Sequence, residues 1–242
     1  MRRPWLLLVC LATASGLAWL WLDPADLRLR VDPRSREVAL IVPAELTGRR
    51  AADAVLHALA ELTAPEPRAD LRAQLASPAL KSAGRATVGF VPGEAPRLGL
   101  DTPEVPEGGK AIPGLARVQL RGVPHGYLLV HAAPAQGLLE AAARRRWLGR
   151  ALVEAGAQAE TATIAVGESD DGAFLVATIA FAYRTGEEAE AALHRLTEKQ
   201  GDYDALGFAA RPGTDRITRR TKLLVVRFDI ETDLVLQGLR RR

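Results

Sequence analysis

Side chains that could carry a reaction are few in this sequence and widely spread. The histidines are His57, His125, His131 and His194. No two of them stand at the H-x-x-x-H spacing that sets a pair of imidazoles on one helix face for a metal. His125 and His131 flank one expected strand, so the fold can bring them close. With Asp or Glu neighbours they are where an acid–base site would be assembled. The single cysteine, Cys10, lies in an apolar stretch. It permits no intramolecular disulfide and no thiolate cluster, and within a bilayer it cannot act as a nucleophile. There is no G-x-S-x-G elbow. Gly108-Gly109-Lys110-Ala111 lacks the other parts of a phosphate loop, since position 104 is Glu and position 111 is Ala. Glu168, Asp170 and Asp171 make only half of a calcium loop. Glu187, Glu188 and Glu190 suit a helix start, where the dipole favours anions. No metal and no cofactor is expected.

The most distinctive run is Arg144, Arg145, Arg146, Trp147 and Arg150. On one helix over 136–155, Leu138, Ala141, Leu148, Leu152 and Ala155 form an apolar stripe. Glu140, Arg144, Trp147, Arg150 and Glu154 then recur on another. An indole among guanidinium groups near solvent has the composition of an interface hot spot. Arg144, Trp147 and Arg150 are therefore the candidate partner-binding residues. Arg219, Arg220 and Lys222, with the terminal Arg240, Arg241 and Arg242, add basic positions suited to anionic lipid.

Bulk properties bound what can hold these residues. The chain has 242 residues, 48% hydrophobic and 25% charged, which is a folded globular composition rather than a disordered one. A net charge of +3 is too small for a nucleic-acid surface, so no nucleic-acid partner is expected. Residues 4–22 carry no charged side chain. About 19 residues make roughly 28 Å of helix, enough to cross a hydrocarbon core of about 30 Å. Trp5 at one end, and Trp19 and Trp21 at the other, fit the two membrane interfaces. Arg2 and Arg3 precede the span, while Asp23 and Asp26 follow it. That bias puts the N-terminus in the cytoplasm and the rest outside, in a periplasmic or extracytoplasmic space. Cleavage after Ala12-Thr13-Ala14 and lipid attachment at Cys10 are the competing readings.

The expected organisation follows. Residues 1–22 are the membrane anchor and 23–36 a stalk. Residues 37–91 form a small α+β module, with strands at 37–42 and 86–91 and helices near 47–62 and 68–80. Its element order is similar to that of the POTRA-type modules of membrane-assembly proteins. Residues 92–114, rich in Pro and Gly, read as a linker. Residues 115–233 form a second module, and 234–242 a basic tail. Within the second module, strands at 115–121, 126–132, 161–166, 173–183 and 221–230 alternate with helices at 136–155 and 185–199. Asp170-Asp171-Gly172 is a strong turn signal. From Gly126 the order is β-α-β-β-α-β, the order of ferredoxin-like folds. The expected fold is thus α+β: a transmembrane helix, then two α/β-sandwich modules. The expected role is a single-pass, non-catalytic interaction or scaffold protein of a bacterial envelope assembly at the inner membrane. Lipid holds residues 4–22, and a protein partner or a second copy meets the domain. The alternative is an anchored enzyme with its site around His125 and His131.

Overall fold

The computed structural model describes residues 30–31, 35–41, 78–79, 83, 86–91, 94, 97–100, 110–111, 126–144, 148–198, 203–205 and 208–240. They form a mixed helix and sheet fold. In chain order the elements are β1 (Arg30–Val31), β2 (Glu37–Ile41), β3 (Ala86–Phe90), β4 (Arg97–Leu100), β5 (Lys110–Ala111) and β6 (Gly126–Ala132). Next come α1 (Ala135–Arg144), α2 (Arg150–Gly156), β7 (Thr161–Glu168), β8 (Phe174–Ala182) and α3 (Gly186–Glu198). The last are β9 (Asp204–Ala205), β10 (Phe208–Ala209), β11 (Arg216–Arg220), β12 (Leu223–Glu231) and α4 (Thr232–Arg240). Eight strands make one antiparallel sheet in the order β11-β12-β8-β7-β6-β2-β3-β4.

That order corrects two expectations. In a split β-α-β layout, the strands on either side of the helix are parallel and a third strand lies between them. Here β6 and β7 are direct antiparallel neighbours, β8 follows them in chain order, and β12 lies beside β8 with β11 at the edge. The fold is therefore not ferredoxin-like, although the linear order of elements matches. The expected two modules also share one sheet, because β2 pairs with β3 on one side and with β6 on the other. The segment read as a linker contributes β4 to that sheet. The segment read as a basic tail lies mostly within α4. The expected strand at 115–121 and the expected helices near 47–62 and 68–80 lie outside the described residues.

Strand pairing also explains why the expected helix over 136–155 is two helices. β7 begins opposite the end of β6, with Ala162 facing Ala132. The connection must leave the sheet edge and return to the same end. A single helix of 20 residues would carry the chain about 30 Å away. Instead α1 ends at Arg144, and α2 starts after Gly149, whose extended φ of −58° and ψ of 152° redirects the chain. Leu138, Leu139, Ala142, Leu148, Ala151, Leu152 and Ala155 are all buried. The apolar spacing was therefore a core signal shared by two helices.

The core lies between these helices and one face of the sheet. On that face β7 contributes Ala162, Ile164 and Val166. β8 contributes Leu175, Ala177, Ile179 and Phe181, and β12 contributes Leu224, Val226, Phe228 and Ile230. β12 alternates between buried and half-buried side chains, as a strand with one core face should. β7 and β8 are buried on both faces. Their opposite face is built from small residues: Thr163, Ala165 and Gly167, then Val176, Thr178 and Ala180.

The register contains a quasi-twofold relation. Ala86-Thr87-Val88 pairs with β2 as Ala162-Thr163-Ile164 pairs with β6: Ile41, Leu40 and Ala39 correspond to Ala132, His131 and Val130. Between the units Ala39 faces Val130, Leu40 faces Leu129 and Val38 faces His131, as a dyad through the Ala39–Val130 pair requires. β4 and β8 complete the two units as outer neighbours of β3 and β7.

Local chemistry closes the connections. In the 169–173 turn, the Ser169 hydroxyl (2.6 Å) and the Ala173 N–H (3.0 Å) donate to the Asp171 carboxylate, while Gly172 takes φ +70°. The Ser169 bond first, and the Ala173 N–H second, hold the Asp171 carboxyl below its ordinary value. At the start of α3, Thr185 and Glu188 form a reciprocal capping box. The Glu188 N–H donates to Thr185 Oγ1 (3.2 Å), and the Thr185 N–H donates to Glu188 Oε2 (3.1 Å). Two buried phenols tie loops to the core. Tyr183 donates to the Ala155 carbonyl and Tyr203 to the Leu196 carbonyl, each at 2.9 Å. Burial pushes both phenols above their usual range, with the Asp215 charge adding to the effect at Tyr203.

Candidate interaction site

The residues singled out from sequence are separated by the helix break. Arg144 ends α1 and is exposed. Arg150 opens α2, and its exposed guanidinium pairs with Glu154 at 2.6 Å. Such an i,i+4 pair in water contributes only a few tenths of a kcal/mol. Trp147 lies outside the described residues. A stripe through 140, 144, 147, 150 and 154 needs one continuous helix, so that geometric argument for linking Arg144 to Arg150 does not hold here.

His131 is buried, 7% exposed, on the sheet face away from the helices. Its Nδ1 lies 2.9 Å from Thr163 Oγ1, the residue directly opposite on β7. This is a cross-strand hydrogen bond inside the sheet. His125 lies outside the described residues. His194 is exposed on α3, with Glu198 Oε1 3.7 Å from its Nδ1. It lines an open groove with Glu187, Glu190 and Thr197, where Glu190 is also engaged by Arg219 at 2.6 Å. Among the described residues no group of His, Cys, Asp and Glu is placed to hold a metal.

The structure draws attention to the other end of the sheet. β11 is its terminal strand, and all its side chains except half-buried Ile217 are exposed. Its sequence is R-I-T-R-R, and Lys222 lies in the turn that follows. Ile217 and Arg219 face the helices: Ile217 packs on the core, and Arg219 reaches Glu190. Arg216, Thr218 and Arg220 share the opposite face with Leu223, Val225 and Arg227 of β12. Arg216 and Arg227 are direct cross-strand partners, an unfavourable like-charge placement in isolation. The Arg216 guanidinium donates through Nη1 to the carbonyls of Gly213 (3.2 Å) and Asp215 (2.8 Å). Farther along, Arg211 lies 4.5 Å over the Phe174 ring.

Arg219, Arg220 and Lys222 were marked by sequence as basic positions, but their hairpin was not. The strand expected from 221 to 230 starts at Leu223, and Thr221 is a turn residue with φ +51°. A β-branched residue seldom adopts that conformation, and Gly or Asn usually marks such a turn. Thr221→Gly should therefore raise stability by about 1 kcal/mol, by relieving left-handed strain. A urea midpoint that falls instead would show that no strain is stored at the tip.

Comparison with family models, with curated proteins and with solved structures finds no match. Among the described residues no helix is long and apolar enough to cross a membrane, and residues 4–22 lie outside that set.

Proposed function

We propose that this chain is a membrane-tethered, non-catalytic interaction or scaffold domain of an envelope assembly. Residues 4–22 form the spanning helix, with the N-terminus cytoplasmic and the folded part extracytoplasmic. The observation that carries the reading is the exposed terminal strand β11, which ends the sheet in a row of cations. A terminal strand offers backbone donors and acceptors to an added strand. Cations on such an edge also discourage indiscriminate pairing, so a partner must supply complementary charge. Arg144 and Arg150 add exposed cations at the α1–α2 break. The apolar, tryptophan-flanked stretch supports the tether.

Two measurements on the full chain in its own membrane test this. Alkaline carbonate extraction should leave the protein in the membrane pellet, and release into the supernatant would remove the tether. A photo-crosslinking residue at Thr218 should give a discrete adduct, with a partner or a second copy, that fades in Arg220→Glu. If positions 218, 144 and 150 all stay free of adducts, the interaction role fails.

A further inference from the structure

We propose that the outer edge of β11 takes an acidic, extended peptide segment of a partner protein as an added antiparallel strand, with its carboxylates on the face of Arg216 and Arg220. This occupant rests on the interaction role proposed above and adds the chemistry of the partner.

Register decides which backbone groups face outward. The Tyr183 N–H donates to the Lys222 carbonyl (2.9 Å), so the alternating ladder turns the main-chain groups of Leu224, Val226 and Phe228 toward β8. Those of Leu223, Val225 and Arg227 then turn toward β11. Asp229 agrees: on that side its carbonyl accepts the Arg211 N–H (2.8 Å), and its N–H donates to Thr214 Oγ1 (3.1 Å). The β11 partners of Leu223, Val225 and Arg227 are Arg220, Thr218 and Arg216. The N–H and C=O of Ile217 and Arg219 therefore point out of the sheet edge, and nothing among the described residues bonds them.

Side chains set the charge of the occupant. Arg216, Thr218 and Arg220 are exposed and share the sheet face away from α3. An added strand would hydrogen-bond at Ile217 and Arg219. It would meet Arg216, Thr218 and Arg220 at the non-hydrogen-bonded positions, where the side chains of two strands come closest. Arg220 makes no ion pair among the described residues, and the Arg216 guanidinium bonds two carbonyls. Carboxylates opposite these two arginines can accept paired N–H bonds. Exposed Lys222 adds a cation at the turn.

The helix side asks for different side chains. There Glu190 already offsets Arg219, Glu187 stands one turn earlier on α3, and Ile217 is half-buried. An acid on that side would meet carboxylates, whereas an apolar residue opposite Ile217 would extend its packing. From the position opposite Arg220 to that opposite Arg216, the partner sequence is thus acidic, neutral, Thr-like, apolar, acidic. A second copy of β11 does not meet this pattern, because full antiparallel overlap sets Arg216 against Arg220.

The test uses the purified full chain in a nonionic detergent and a fluorescent peptide carrying Glu-Gln-Thr-Val-Glu between Gly-Ser flanks, read by anisotropy. The peptide should saturate. N-methylation of its Val, whose N–H would donate to the Ile217 carbonyl, should abolish saturation. N-methylation of its Thr, whose N–H would face solvent, should leave binding in place. Setting the two Glu side by side at equal composition puts one on each face and should weaken binding about fivefold. Arg220→Glu should weaken it about tenfold or more, and Lys in place of the first Glu should rescue that variant. The proposal fails if the peptide does not saturate, or if the rearranged peptide binds equally well. It also fails if the Val-methylated peptide binds equally well, since charge attraction alone would then explain the contact. In the native membrane, a Thr218 adduct formed only with a second copy overturns the acidic strand and leaves the interaction role standing. The absence of adducts at positions 218, 144 and 150 removes both.

Discussion

Phe228→Ala is expected to remove about 3–5 kcal/mol of folding stability, a large share of what a domain of this size possesses. Phe228 is fully buried on the helix face of β12, opposite Ala177. Its ring stacks on Tyr203 with centroids 6.3 Å apart and planes 21° from parallel. The small Ala177 beside it cannot move in to refill the space. The cavity would therefore persist, and it would also unseat Tyr203, whose hydroxyl holds the Leu196 carbonyl at the end of α3. Urea unfolding measures the loss, as a lower midpoint at unchanged slope. Phe228→Leu keeps most of the volume and should cost less than half as much. Equal losses for the two variants, or a loss under about 1 kcal/mol for alanine, would mean that the ring does not fill the core as described.

The second large effect is at Gly156, the last residue of α2. A Cβ there would lie 2.6 Å from Phe181 Cε1 and 2.8 Å from Leu139 Cδ1. Both side chains are buried, so neither can swing into solvent. The glycine is needed because α2 must approach α1 and β8 at once while Tyr183 bonds the Ala155 carbonyl. Gly156→Val is expected to cost about 3 kcal/mol from overpacking, and Gly156→Ala somewhat less, since alanine recovers helix propensity. The mechanism is checked with Leu139→Ala. In a double-mutant cycle, Gly156→Ala and Leu139→Ala together should be about 1 kcal/mol less damaging than their sum, because the shortened leucine makes room for the new methyl. Strict additivity would place the strain elsewhere.

These predictions rest on residues whose burial was partly legible from sequence. The strands at 37–41, 86–90, 126–132 and 174–182 follow from β-branched and apolar runs. The 169–173 turn follows from Asp-Asp-Gly, and α3 from its capping residues. The strand over 216–220 was not legible. Three of its five residues are Arg, and its turn uses Thr221 at a positive φ where a glycine would have announced it. The break at 145–149 was missed for a different reason. Helical spacing persists through it, since Leu138 of α1 and Leu152 of α2 are buried in the same core from different helices, with Leu148 buried between them. Ala86-Thr87-Val88 and Ala162-Thr163-Ile164 resemble each other as written, yet three residues in a chain this long carry no weight until register makes them equivalent.

The candidate site divides in the same way. Arg144 and Arg150 were visible as cations, and both are exposed. Only register sets Arg216 of β11 directly opposite Arg227 of β12.

Composition and local pattern alone determined that the chain is globular, that it mixes helices with strands, where six of the eight strands of the main sheet and α3 lie, and which segment is apolar enough to propose as a tether. These depend on neighbours a few residues apart, and so they are written in the order of the letters. Tertiary structure decided which strands pair, that both halves share one sheet, that one apolar stretch folds as two helices, and that Arg216 stands opposite Arg227. Those outcomes depend on returning the chain to a given end of the sheet and on burying both faces of β7 and β8. Residues far apart in sequence settle them together, so no local window contains the answer.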